Sequence, residues 1–141
     1  MLYDILVRSH SGIRWIVLLL LIAVVVKSLP SAGKTVPDAG ARRLSLFTLI
    51  FVHLNVVLGI ILYMISPRVQ FSAHTMGDSA LRFFTVEHVF GMLIAVILVT
   101  LAHRKSKTDN LRGMFRYYLI ALLIILISIP WPFRGFGSGW F

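Results

Sequence analysis

Three histidines lie within long apolar stretches of the sequence, where an ionisable side chain needs a structural or functional reason. They are His10, His53 and His88, and each belongs to a different stretch. Counted from the end of its stretch at 1.5 Å per residue, they lie roughly 3–6, 18 and 10 Å deep in a membrane. Imidazoles that converge from separate helices are typical ligands of a metal ion or of haem iron. The alternative is that each histidine only hydrogen-bonds a neighbouring helix.

Charged and small residues near the histidines extend this candidate site. Arg14 lies one helical turn after the first histidine, and Arg14 and Arg82 are suited to anionic groups such as haem propionates. Gly91 lies one turn after the third histidine and would let a flat macrocycle approach the helix, or would simply allow close helix packing. Glu87 either handles protons beside a quinone or forms an ion pair with an arginine. The candidate cofactor-binding residues are therefore His53, His88, His10, Arg14, Arg82 and Gly91, with Glu87 as the proton or quinone candidate.

The elements that must position these residues are membrane-spanning helices. Of the 141 residues, 58% are hydrophobic and only 13% are charged, whereas a soluble domain carries about a quarter charged residues. We expect an all-α integral membrane four-helix bundle with up-down-up-down order, which forms a single domain over residues 1–141. Four spans use most of the chain and exclude a soluble catalytic domain. The spans are expected at about 8–29, 44–65, 81–102 and 115–133.

The distribution of Lys and Arg predicts the orientation of the bundle. Nine of the 14 Lys and Arg residues lie near the first and third connections, and the positive-inside rule assigns these connections to the cytoplasm. Both termini and the connection near residues 66–80 then face the outer, periplasmic side. A sequence pI of about 10.9 reflects this topology signal, so no nucleic-acid partner is expected. The chain also has no cysteine, which excludes disulfides and thiolate metal sites.

Polar residues on the second span and the end of the chain indicate helix packing. Ser45, Thr48, Asn55 and Gly59 share one face of the span, and such a stripe is more often a packing seam than a binding site. We expect His74 and His103 to be solvated or at the membrane interface. The segment 135–141 is rich in glycine and aromatic residues, and we expect it to lie on the bilayer surface or on a neighbouring protein.

Several motifs resemble those of one protein family. They are His10-Ser11-Gly12-Ile13-Arg14-Trp15, Leu62-Tyr63-Met64-Ile65-Ser66-Pro67, Val86-Glu87-His88 and Ser128-Ile129-Pro130-Trp131-Pro132-Phe133-Arg134. With them, nearly the whole chain resembles the small four-helix bacterial inner-membrane proteins usually labelled cytochrome b, which are distantly similar to b561-type cytochromes. The resemblance implies a b-type haem held by histidines and a multi-pass location in the bacterial inner membrane. Because the fourth span has no histidine, one haem or none is expected rather than two.

The leading hypothesis for function is a one-haem electron carrier between helices one to three, linked to quinone and to a partner protein. His53 and His88 are the first choice of axial ligands because both lie well inside the hydrocarbon, and His10 is the substitute. The chain would be at most an electron-transfer subunit rather than a stand-alone catalyst. One alternative is a cofactor-free accessory subunit of a larger membrane complex or a homo-oligomer. The other is a metal-binding membrane protein that uses His53, His88, His10 and Glu87.

Overall fold

The computed structural model describes residues 1–30 and 34–140 of the chain, and this part is helical with no strand. Residues 31–33, in the predicted first connection, and Phe141, in the predicted tail, lie outside the described residues. Four helices are long and apolar enough to cross a membrane, which confirms the expected all-α class with four potential spans and indicates a multi-pass membrane protein. They are α1 (Leu2–Lys27), α2 (Ala39–Ile65), α3 (Ser79–Lys107) and α4 (Leu111–Ser128).

Short polar connections and proline residues determine where these helices begin and end. The side chains of Asp38, Asp78 and Asn110 each cap a helix start by accepting a bond from a backbone N–H three residues later. α4 ends at Ser128 because Pro130 disfavours helical geometry at the residue before it. α1 begins at Leu2, six residues before the predicted start of its span, so the helix extends beyond the apolar stretch from which that span was predicted.

The bundle has two ends that differ in packing. We call the end with connections 28–38 and 108–110 the basic end, and the end with connection 66–78 and segment 129–140 the histidine end. Most of the fully buried apolar side chains, such as Leu21, Val24, Val99, Leu111 and Met114, lie in the half nearest the basic end, whereas Phe83 and Ile129 are buried at the histidine end. α1 has no buried residue before Arg14, and α2 has none after Val52. The core is therefore concentrated in the half nearest the basic end and is thinner at the histidine end.

A buried cluster of polar side chains joins α2, α3 and α4 near the basic end. The Ser45 hydroxyl lies 2.8 Å from Nδ1 of His103 and 2.8 Å from the Tyr118 hydroxyl, which also donates to the Ser45 carbonyl at 3.2 Å. The Ser106 hydroxyl completes the cluster by donating to the His103 carbonyl at 2.7 Å. The expectation that His103 is solvated or interfacial is wrong, because its side chain reaches Ser45 and is only 8% exposed. Burial of Ser45 and Thr48 agrees with the predicted packing seam.

This cluster predicts that Tyr118→Phe destabilises the bundle. Removal of the hydroxyl takes away a donor to the Ser45 carbonyl and a hydrogen-bond partner of the Ser45 hydroxyl, at a cost of about 1–3 kcal/mol. Thermal unfolding in detergent, followed by the helical circular dichroism signal, measures the loss. Tyr117→Phe is the matched control, since the half-buried Tyr117 makes no hydrogen bond within the described residues. Equal losses in the two variants would contradict the prediction.

Asp38 ties the start of α2 to the end of α1 at the basic end. Its carboxylate accepts from the Ala41 N–H at 2.7 Å and lies 3.2 Å from Nζ of Lys27 and 3.7 Å from Nζ of Lys34. The Ala41 N–H, followed by the Lys27 ammonium, lowers the pKa of Asp38 below its ordinary value. An acid with a lowered folded-state pKa stabilises the fold above its unfolded-state pKa, and this stabilisation is lost as the pH falls through the folded-state pKa.

We therefore expect a pH-dependent difference in stability between the wild type and Asp38→Asn. Asparagine keeps the capping oxygen but carries no charge, so it lacks only the titration and the ion pairs. The difference between the two unfolding midpoints should be constant at neutral pH. It should shrink as the pH falls below the ordinary pKa of an aspartate. A difference that does not change across this acid range would show that the charge of Asp38 does not contribute.

Candidate cofactor site

The structure brings two of the predicted histidines together inside the histidine end. His10 on α1 and His88 on α3 are both half-buried. Their ring centroids lie 6.3 Å apart, and the ring planes are nearly perpendicular at 82°. The two imidazoles therefore face a shared space between two helices that are distant in sequence.

Each ring is held through the same atom by a backbone carbonyl of another helix. Nδ1 of His10 lies 3.1 Å from the carbonyl oxygen of Asn55 on α2, and Nδ1 of His88 lies 2.7 Å from that of Ser128 on α4. Because a carbonyl oxygen can only accept, each Nδ1 carries the proton and donates it. Each neutral ring then keeps Nε2 as its free acceptor, and no described residue hydrogen-bonds to either Nε2. This is the arrangement in which protein histidines ligate metal ions.

The carbonyl that holds His88 is available because of a proline. In a continuing helix, the Ser128 carbonyl would accept from the N–H of residue 132, but Pro132 has no N–H. The Leu126 carbonyl loses its partner in the same way at Pro130, and it accepts instead from Nε1 of Trp131 at 2.8 Å. The Pro-Trp-Pro sequence thus ends α4 and leaves an acceptor for the imidazole.

A π-helical turn precedes His88 in α3. It covers Phe83–Glu87, and the His88 N–H donates to the Phe83 carbonyl five residues back. Within this turn, the Thr85 carbonyl accepts from the Tyr63 hydroxyl at 2.9 Å. Such turns occur often at functional sites because they change the direction of the side chains that follow them. Here the turn lies directly beside the imidazole that lines the shared space.

A cavity of about 670 Å³ adjoins the two imidazoles. Its walls are mainly apolar and come from all four helices, with Val17, Val52, Met92 and Ile125 as examples. His10, His88, Arg14 and Asn55 line it as well. Two buried polar atoms of the lining residues, Nε of Arg14 and Oδ1 of Asn55, have no hydrogen-bond partner. Buried polar atoms are nearly always satisfied, so these two mark an unusual environment.

Segment 135–140, which we call the strap, folds back over the cavity. Gly137, Ser138 and Gly139 line the cavity. Arg68 donates to the carbonyls of Phe136 at 3.0 Å and Gly137 at 2.8 Å. The strap therefore packs on its own bundle in the described structure.

The other predicted site residues lie away from this cavity. His53 is exposed on the outside of α2 and bonds its own helix at the Leu49 carbonyl, 2.8 Å away. Arg82 and Glu87 form an exposed ion pair of 2.7 Å, which was the open alternative for that carboxylate. Gly91 packs against α4, where an added Cβ would lie 2.1 Å from the Ser128 hydroxyl oxygen. Of the seven predicted residues, the cavity is lined by three, which are His10, His88 and Arg14.

Several cavity residues were not predicted as part of the site. Asn55 and Gly59 were assigned to a packing seam, but both line the cavity, and an added Cβ on Gly59 would lie 3.1 Å from Cε1 of His10. Arg68 and Tyr63 line it as well. The signal for Asn55 was its position on the buried stripe of α2, since an amide in hydrocarbon needs a partner.

Comparisons of this chain with known protein families, with curated proteins and with solved structures find no match. The resemblance to small cytochrome b proteins therefore stays a prediction. Any function of the cavity has to follow from the chemistry of the side chains that line it. Among the described residues, no group of three or more His, Cys, Asp or Glu side chains is placed to hold a metal ion.

The close contact at Gly91 predicts the effect of Gly91→Ala. An added methyl group would force α3 away from Ser128, whose carbonyl holds His88, at a cost of about 1–3 kcal/mol in unfolding free energy. Gly12→Ala on α1 is the matched control, because nothing lies within 4 Å of its added Cβ. Replacing that helical glycine should be neutral or stabilising by about 0.5–1 kcal/mol. Thermal unfolding in detergent should separate the two variants, and equal midpoints would contradict the close packing.

Proposed function

We propose that this chain is a membrane electron carrier with one b-type haem, held by His10 and His88 as axial ligands. The observation that carries the proposal is the pair of imidazoles whose Nδ1 atoms are both bound to backbone carbonyls. This pairing differs from the first choice made from the sequence, His53 and His88. His53 faces outward, whereas His10 and His88 share one cavity.

The spacing of the two rings fits a metal centre between them. With metal–nitrogen bonds of about 2.0–2.1 Å, and ring centres about 1.1 Å beyond each nitrogen, two opposed imidazoles have centroids about 6–6.5 Å apart. The observed separation is 6.3 Å. The donor set also fits, because haem iron accepts histidine on both faces and the cavity walls are mainly apolar. A bare metal ion is less well served, since Glu87 and His53 lie elsewhere.

The chain's own residues would perform distinct tasks around the group. A bound haem would supply a one-electron couple between ferric and ferrous iron. His10 and His88 would hold the iron, while the carbonyls of Asn55 and Ser128 fix the orientation of both rings. Arg14 would hold a carboxylate at the edge of the macrocycle. The valine, methionine and isoleucine walls would keep water away.

The location and partners of the protein follow as further parts of this proposal. By the positive-inside rule, the basic end faces the cytoplasm and the histidine end the periplasm, in a bacterial inner membrane. Quinol would be a suitable membrane-soluble donor, and a neighbouring membrane subunit a suitable acceptor. The resemblance to small cytochrome b proteins supports this assignment. A cofactor-free accessory subunit remains the alternative, and no contact within the described chain favours it over haem binding.

The proposal predicts which histidine substitutions abolish haem binding. After expression with ample haem, the purified wild type should show a Soret band and the spectrum of a six-coordinate low-spin haem. His10→Ala and His88→Ala should each lose six-coordination. Each should also weaken haem binding by more than the loss of about 10- to 100-fold that follows when only the hydrogen-bond partner of a metal ligand is removed.

His53→Ala is the matched control, because its ring lies outside the cavity and bonds only its own helix. We expect its spectrum to equal that of the wild type. A wild-type protein without a Soret band would refute haem binding altogether. Loss of the band in His53→Ala but not in His10→Ala would show that the wrong pair had been assigned.

A further inference from the structure

Arg14 is a guanidinium inside the bundle without an acidic partner. It is only 8% exposed and lines the cavity. The ion pairs of the described chain join other residues, and its hydrogen bond runs from Nη2 to the carbonyl oxygen of Trp140, at 2.6 Å. Its Nε has no partner. A buried charge is costly unless an opposite charge compensates it, and a neutral carbonyl compensates it poorly.

Backbone carbonyls of the strap accept hydrogen bonds from two of the arginines that line the cavity, Arg14 and Arg68. The Trp140 carbonyl accepts from Arg14 and also from Nε1 of Trp15, at 3.1 Å. The Phe136 and Gly137 carbonyls accept from Arg68. A carboxylate is a stronger acceptor for a guanidinium than a backbone carbonyl, because it is charged and can bind two N–H groups at once.

Ring contacts and hydrogen bonds both attach the strap to the bundle. Phe136 stacks on Phe83 with ring centroids 4.6 Å apart, and Trp140 contacts Trp15 and Trp131. Gly135 and Gly137 have φ values of 73° and 69°, a region that glycine enters at little cost. Ser138 is half-buried, while Gly139 and Trp140 are exposed. The hydrogen bonds to Arg14 and Arg68 are therefore the main polar attachments of the strap, and they are the bonds that a ligand carboxylate could replace.

We propose that the cavity binds an amphiphile with a carboxylate at one edge, and that this carboxylate replaces the Trp140 carbonyl on Arg14 and releases the Trp140 end of the strap. Arg14 is thus both the anion-binding residue and the latch of the lid. The inference deepens the proposed function by naming the group that the ligand must carry. Two sources share this chemistry: the propionates of a tetrapyrrole and the head group of a long-chain fatty acid.

The chain carries its own reporter for this exchange. Its three tryptophans, Trp15, Trp131 and Trp140, form one cluster at the latch, with ring centroids 6.1–6.3 Å apart. Tryptophan fluorescence should therefore change when the Trp140 end of the strap leaves. Trp140→Phe keeps the backbone carbonyl of the latch but removes the reporter ring, so it should lose much of the signal.

The experiment uses the haem-free full chain in a neutral detergent with two matched pairs of probes. One pair is palmitate and hexadecanol, and the other is metal-free protoporphyrin IX and its dimethyl ester. The acid of at least one pair should bind about 10- to 100-fold more tightly than its neutral counterpart, as expected for a charge-assisted bond. This preference should fall to about one in Arg14→Gln. Arg8→Gln is the matched control, since Arg8 also lines the cavity but is exposed.

Arg14→Lys keeps the charge and is used if the Arg14→Gln variant does not fold. Its preference for the acid over the neutral probe should be smaller than that of the wild type but should not vanish. An acid preference in the porphyrin pair alone identifies a tetrapyrrole ligand, and one in the palmitate pair alone identifies a fatty acid. Metal-free porphyrin has no metal for an imidazole to ligate, so neither result requires ligation by His10 or His88. Equal binding of acid and neutral probes in both pairs, or a preference that survives in Arg14→Gln, would overturn the inference.

Discussion

Two hydrogen bonds from imidazole Nδ1 atoms to backbone carbonyls connect the fold to the site. One joins α1 to α2 through His10 and Asn55, and the other joins α3 to α4 through His88 and Ser128. In hydrocarbon no water competes for these groups, so the bonds are retained once the helices pack. Each bond stabilises a pair of helices and also leaves Nε2 of a cavity-lining ring without an intramolecular partner among the described residues. The contacts that close this end of the bundle are therefore the ones that create its free acceptors.

The two ends of the bundle treat polar atoms in opposite ways. At the basic end, Ser45, His103 and Tyr118 satisfy one another within a filled core. At the histidine end, Arg14 and Asn55 keep buried atoms without partners beside a cavity. A self-satisfied network contributes to stability and specificity, whereas unpaired atoms cost free energy unless a ligand meets them. This division agrees with the proposal that one half of the bundle maintains the fold while the other half binds a ligand.

Hydropathy predicted the four helices because the bilayer imposes their length, but it could not place the site. His53 was preferred because of its predicted depth alone. Residues 52 and 55 lie on the buried side of α2, and residue 53 points about 100° away from residue 52 around the helix axis. The early start of α1 and the π turn in α3 are both invisible to an apolar-run argument. Gly91 and His88 were predicted to lie on the same face of α3, and they do. That face packs against α4, where Ser128 lies next to both residues.

The ion pair of Glu87 with Arg82 affects the charge balance around Arg14. Arg82 holds this carboxylate in an exposed ion pair, so it does not reach the buried guanidinium of Arg14. The buried part of the cavity lining thus includes the Arg14 guanidinium and two neutral rings, while Asp4 and Arg8 line it as exposed residues. The hydrogen bond of Arg14 goes to the carbonyl of the strap. This surrounding agrees with the proposed ligand, which would carry a metal for the two histidines and a carboxylate for Arg14. An internal carboxylate beside Arg14 would satisfy the charge permanently and remove the reason for any ligand to bind there.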